Sequence, residues 1–141
     1  MRSRRGTSLI ETAIVLALTA ILLAIAIPRA QALLNRIELR GAVSEIEMMF
    51  SLARHAAIAR GAQVTLDIDL QRRLLTVKQG AVVIRSREVG SAHGVDLSAN
   101  RSSITYAANG VGYGAANLSL IVSRAGLVDT IVVSRLGRVR H

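Results

Sequence analysis

No cysteine occurs anywhere in the 141 residues. Disulfides, thiolate metal sites and cysteine nucleophiles are therefore excluded, and a domain outside the cytoplasm would be held by packing alone. Aromatic side chains are scarce: no tryptophan, one phenylalanine and two tyrosines. Hydrophobic residues nevertheless make up 51% of the chain. The surplus is alanine, leucine, isoleucine and valine, concentrated near the N-terminus. Proline occurs once, at Pro28, where it closes an apolar run. Acidic residues number 9 against 18 lysines and arginines, for a formal net charge of +9. Such an excess favours anionic partners such as phospholipid headgroups or nucleic acid. The competing reading is a genome-wide taste for arginine.

What is present begins with an ordered series of parts. A basic leader, Met1 to Arg5, ends at Gly6, and an apolar run extends from Thr7 to Ile27. Those 21 residues approach the roughly 20 that span a bilayer as a helix. The stretch from Thr12 to Ile27 carries no charge, but Glu11 sits inside the run. An ionisable group in a membrane-length segment is costly, so it is a functional candidate with a partner to be named. The positive end of the helix dipole offers it one source of stabilisation. Residence at the headgroup interface is the alternative. Three of the basic residues, Arg2, Arg4 and Arg5, lie in the leader, so a chain starting at Thr7 would keep 15 basic against 9 acidic.

Three readings of this N-terminus compete. A secretory signal would be cut after the run, and Ala30-Gln31-Ala32 fits a small-x-small site. The run is long for that purpose, contains Glu11 and continues into an amphipathic helix. Ser3-Arg4-Arg5 resembles the start of a twin-arginine signal, but Gly6-Thr7-Ser8 replaces the apolar residues that should follow. The third reading is a leader cut before the run, which leaves the run in the mature protein.

Beyond Pro28 the pattern becomes amphipathic. Leu39, Val43, Ile46, Phe50, Ala53 and Ala57 are spaced as one helical stripe. Arg36, Arg40, Ser44, Glu47, Ser51 and Arg54 take the other face. Arg60-Gly61 supplies a terminal cation and a C′ glycine. One helix is thus expected from Thr7 to Arg60, bent at Pro28 and about 80 Å long at 1.5 Å per residue. After it the period falls to two. Strands are expected at 63–69, 74–78, 81–85, 103–107, 118–123, 127–134 and 138–140. Turns fall at Gln79-Gly80, Ala125-Gly126 and Leu136-Gly137, and 91–101 reads as a polar loop. The remaining roughly 80 residues suffice for one small core. The fold class is α+β, a long helix packed on a small antiparallel sheet or sandwich.

Chemistry-bearing residues are sparse. His55, His93 and His141 have no carboxylate or nucleophile at triad spacing. Asp67 and Asp69 share a strand face, but two carboxylates are too few for a calcium site, and a solvated strand edge is the simpler reading. Asn109-Gly-Val-Gly-Tyr-Gly114 lacks the Lys-Ser/Thr of a phosphate loop and reads as a flexible loop. No cofactor or metal is expected, and no catalysed reaction. Arg135, Arg138 and Arg140 cluster near the end of the chain. From a strand, Arg138 and Arg140 would point the same way and could meet phosphates. Otherwise they are solvated or pair with Glu88 or Asp129.

These parts together resemble a known family. Arg4-Arg5-Gly6, Thr7-Ser8-Leu9-Ile10-Glu11 and the apolar helix ending at Pro28 look like the class III leader of type IV pilins and type II secretion pseudopilins. The resemblance implies prepilin peptidase cleavage after Gly6, N-methylation of Thr7, and assembly roles for Glu11 and Pro28. Thr7 departs from the phenylalanine usual there. Phe50 to Gly61 followed by Val64-Thr-Leu, Ile104-Thr-Tyr-Ala-Ala-Asn-Gly, and Leu136-Gly-Arg-Val-Arg are similar to the GspH/FimT branch. The implied organisation is a leader at 1–6, a transmembrane assembly helix at 7–28, its amphipathic continuation at 29–61 and a periplasmic β domain at 62–141. The implied function is a structural minor pseudopilin of a type II secretion system. It would sit single-pass in the bacterial inner membrane, then near the tip of a periplasmic pseudopilus. Leader arginines on the cytoplasmic side agree with that orientation. Implied partners are other pseudopilins or pilins, the prepilin peptidase, membrane lipid and, indirectly, the inner-membrane platform and its ATPase. The alternative is a FimT-like minor type IV pilin that contacts DNA through Arg135, Arg138 and Arg140. A periplasmic enzyme, with a mature N-terminus at Leu33, lacks a catalytic constellation.

Overall fold

The computed structural model describes residues 8–114 and 117–140. Gly6, Thr7 and His141 lie outside the described residues. The chain divides into two compact units, up to Leu34 and from Asn35 onward. One helix, α1 (Leu9–Arg60), runs through the boundary and through Pro28.

In the first unit no described side chain is buried. Leucine, isoleucine and valine face outward all round the helix, which suits an apolar solvent and not water. Among the described residues α1 is the one helix long and apolar enough to cross a membrane, with a mean hydropathy of 2.6 over 18 residues. Its two threonines are already satisfied. Thr12 Oγ1 donates to the Leu9 carbonyl (2.8 Å), and Thr19 Oγ1 to those of Val15 and Leu16 (2.9 Å each). Neither hydroxyl would enter lipid without a partner.

In the second unit the expected stripe is buried along its whole length, and Ala42 and Met49 widen it. Arg54 and Glu47, expected on the solvent face, are half-buried. The described residues form two sheets, both four-stranded and antiparallel. The first is built from β1 (Val64–Asp69), β2 (Leu74–Gln79), β3 (Val82–Glu88) and β5 (Ser103–Tyr106), in the order β3-β2-β1-β5. The second holds β4 (Asp96–Ala99), β6 (Leu118–Arg124), β7 (Leu127–Val133) and β8 (Val139–Arg140), in the order β4-β6-β7-β8. Inner faces of both sheets join the α1 stripe in one core. Val64, Leu66, Ile68, Leu75 and Val77 come from the first, and Leu118, Leu120, Val122, Ile131 and Val133 from the second. Phe50 and Tyr106 are the largest side chains within it. Of the three expected turns, Ala125-Gly126 and Leu136-Gly137 form as read, while the first falls one residue later, at Gly80-Ala81, because Gln79 pairs with Val82. At Ala125-Gly126 both residues have positive φ (48° and 81°), as a two-residue turn matched to strand twist requires.

The expected polar loop at 91–101 is corrected. It contains the end of a short helix, α2 (Val89–His93), and all of β4. Val89, Val95 and Leu97 are buried, and the serines, Asp96 and Asn100 around them masked that alternation. The solvated-edge reading of Asp67 and Asp69 is corrected too. β1 lies between β2 and β5. Asp67 pairs with Lys78 across the sheet, while Asp69 Oδ1 accepts the backbone N–H groups of Gln71 and Arg72 at 3.0 Å each.

Candidate functional site

Glu11 lies in the first turn of α1. Its backbone N–H reaches Ser8 Oγ at 3.3 Å and the Ser8 carbonyl at 3.0 Å. Ser8-x-x-Glu11 is the pattern of a capping box, in which an N-cap hydroxyl and a carboxylate three residues on serve the same helix end. Sequence reasoning singled out Glu11 and passed over Ser8, although the spacing was there to read. The carboxylate therefore sits where the dipole favours negative charge. No ion pair to it occurs among the described residues.

The basic tail is built as an ordered hairpin, not a loose end. Ser134 N–H donates to the Arg138 carbonyl (2.9 Å), and Gly137 N–H to the Ser134 carbonyl (2.8 Å). The turn is tied to the glycine-rich segment by Gly112 N–H on the Arg135 carbonyl (2.8 Å). That segment is itself bonded: Ala107 N–H meets the Val111 carbonyl at 2.9 Å, and Tyr113 N–H the Thr105 carbonyl at 2.8 Å. The flexible-loop expectation for 109–114 is thus corrected. Arg54, reaching from α1, donates through Nε to the Gly110 carbonyl at 3.1 Å. Gly137 (φ 73°) fits against this guanidinium, since a Cβ there would lie 3.1 Å from both Arg54 Cδ and the Gly110 oxygen.

Of the three tail arginines the structure brings two together. Arg138 and Arg140 line one cleft of about 360 Å³ with Val132, Ser134 and Leu136. Arg135 lies in the turn outside that lining. Neither Glu88 nor Asp129 pairs with them. Glu88 accepts from the Ser91 hydroxyl (3.0 Å), and Asp129 Oδ1 takes the Thr130 N–H (2.8 Å).

A second cluster was invisible in the sequence because its members are 48 and 55 positions apart. His93, at the end of α2, presents Nδ1 to Glu38 (2.9 Å) and Nε2 to Glu45 (3.2 Å). Arg87 adds a pair to Glu45 at 3.1 Å. Arg124 donates to the His93 carbonyl and to Asn35 Oδ1 (3.0 Å). Among the described residues no serine or threonine hydroxyl takes part, and the arrangement clamps α2 onto α1. His55 Nδ1 turns back to its own helix, at the Ser51 carbonyl (2.7 Å). Among the described residues no group of three or more histidines and carboxylates is placed to hold a metal ion. Burial pushes the Tyr106 phenol up from 10.0 to about 12, against a smaller opposing pull from the Arg54 charge.

A long apolar helix whose second half is the spine of a two-sheet antiparallel core defines the pilin-like α+β class. Solved structures with this fold include the type IV minor pilin FimU of Pseudomonas aeruginosa, in two crystal forms. One is 19% identical, with a TM-score of 0.64 over 74% of this chain and 88% of that one. The other is 15% identical, with a TM-score of 0.61 over 72% and 90%. No protein-family model and no curated relative matches the sequence.

Proposed function

We propose that this chain is a structural subunit of a pilin-like filament, and within that class a minor pseudopilin of a type II secretion system. The observation that carries the reading is the division of labour in α1. None of the described residues in its apolar first half is buried, yet that half holds a carboxylate in its first turn, while its second half carries the core. A surface so apolar needs lipid or the helices of neighbouring subunits around it. On this reading prepilin peptidase cuts after Gly6, Thr7 becomes the N-methylated terminus, and Glu11 pairs with the Thr7 amine of an adjacent subunit during assembly. Pro28 shapes the assembly helix. The globular part lies in the periplasm, and no reaction is catalysed. Other pilin-like subunits and membrane lipid are the direct partners, with the inner-membrane platform and its ATPase acting indirectly.

The test is the mature N-terminus, read by mass spectrometry, together with the fate of Glu11→Ala. An N-methylated Thr7, and a Glu11→Ala chain that inserts in the membrane but is missing from sheared filaments, is the expected result. A terminus at Leu33 would instead mark an ordinary secreted protein.

A second reading, a FimT-like minor type IV pilin that contacts DNA, is favoured by one observation: Arg138 and Arg140 are exposed beside a common cleft. It predicts duplex binding that weakens steeply with salt and is lost in Arg138→Ala/Arg140→Ala. Anisotropy of labelled duplex at two salt concentrations checks it.

A further inference from the structure

The cleft at the tail has a composition that phosphate binding does not explain. Its walls include two aliphatic side chains held out to solvent, Leu136 at 62% exposure and Val132 at 45%. Leu136 is at the tip of a turn whose backbone is bonded on both sides and braced by Arg54. It is therefore presented on a fixed support and has no route into the core. Beside this turn lies Tyr113, the one exposed aromatic among the described residues (62%), next to Gly112, which bonds the Arg135 carbonyl. Ile58 of α1, also exposed, packs on Gly110 of the same segment, where a Cβ would come within 2.7 Å of its Cδ1. An apolar centre with a tyrosine and arginines at its margin is the make-up of a protein interface.

We propose that this surface docks a neighbouring protein subunit through an apolar side chain flanked by carboxylates. The apolar side chain enters between Val132 and Leu136, and the carboxylates meet Arg138 and Arg140. Three observations select that occupant. The arginines have no acidic partner among the described residues, so the complement must be acidic. A second copy meeting this face with its own would bring arginine against arginine, which is costly. Nucleic acid would satisfy the arginines but leave Leu136 and Val132 with nothing to bury them. The proposal rests on the structural-subunit reading above and adds which surface is used and what it recognises.

The experiment uses the full chain in cells deleted for their own copy. Wild-type chain in sheared filaments is the reference, and its absence would overturn the subunit reading itself. Given that reference, Leu136→Ser and, separately, Arg138→Glu/Arg140→Glu are expected to insert and melt as wild type, since all three side chains are exposed. Their incorporation should fall about tenfold or more, as for loss of one interface anchor. Suppressors of the charge reversal should be acid-to-base changes on the surface of another filament subunit. Wild-type incorporation of both variants overturns the proposal. So does binding of the detergent-solubilised chain to labelled duplex or to phosphatidylglycerol vesicles that the arginine reversals abolish and Leu136→Ser leaves intact. The first probe would then identify DNA as the occupant, and the second lipid.

Discussion

Gly41 stands in the interior of a 52-residue helix, where glycine costs about 1 kcal/mol relative to alanine. Its reason is His93, because a Cβ at position 41 would lie 3.0 Å from the ring carbon Cε1. The missing side chain lets the imidazole bring its Cε1 edge close to α1 and reach Glu38 and Glu45 together. Gly41→Ala is therefore expected to lower stability by about 1 kcal/mol despite better helix propensity. In a His93→Ala background the same change should raise it, which a thermal-unfolding double-mutant cycle would read directly. Tyr106 offers a second test. Its hydroxyl is buried without a hydrogen-bond partner among the described residues. Its pKa is raised from 10.0 to about 12, so the folded state favours the neutral phenol. That contribution is complete below pH 10 and lost as pH climbs through 12. Tyr106→Phe should leave neutral-pH stability unchanged or slightly higher, and remove part of the unfolding between pH 10 and 12 in a denaturant titration. Neither residue's role was legible in the chain, because each depends on a neighbour brought from a distant element.

At the level of elements, what could be read was whatever had a sustained period. The α1 stripe and the alternation of β1, β2, β6 and β7 are local signals, and the helix end at Arg60 follows from the glycine after it. β4 was lost because four residues with one of them, Leu97, buried are too short a run to stand out from serine and asparagine. β3 shows a different limit. It is an edge strand, exposed along nearly its whole length, so the sequence marks the strand and not its place. Register puts Arg85 and Arg87 opposite buried Val77 and Leu75, on the core side of the rim, with a bulge between Val77 and Lys78. Inward-facing charge and a bulge are the devices by which an edge refuses another sheet. Arg85→Val/Arg87→Val is accordingly expected to fold but self-associate, seen as a rising mass in sedimentation. The turn between β6 and β7 carries a correctable strain. Ala125 adopts φ 48°, a left-handed conformation that costs a non-glycine residue about 1 kcal/mol. Ala125→Gly should recover part of that as a higher melting temperature.

For the whole molecule, the fold class and the single long apolar helix were both readable, since length, composition and period all constrain them. The candidate site was half-readable. Arg138 and Arg140 share a cleft as alternation suggested, but the hairpin that presents them depends on Arg54, 56 residues away from the carbonyl it binds. Every buried side chain among the described residues belongs to the unit that starts at Asn35. Residues 35–141 alone are therefore expected to unfold in one cooperative transition. Phe50→Ala should cost about 3–5 kcal/mol there, enough to abolish that transition in a small domain.

The same core has a consequence for timing. It joins Leu39 through Ala57, near the start of the second unit, to Ile131 and Val133, close to the end of the chain. A polypeptide emerging N-terminus first holds the helix spine long before the strand that completes its cover. No intermediate length buries both, so the domain stays open until the last strands are released. Such a chain stays extended and threadable until the strand holding Ile131 and Val133 has been made.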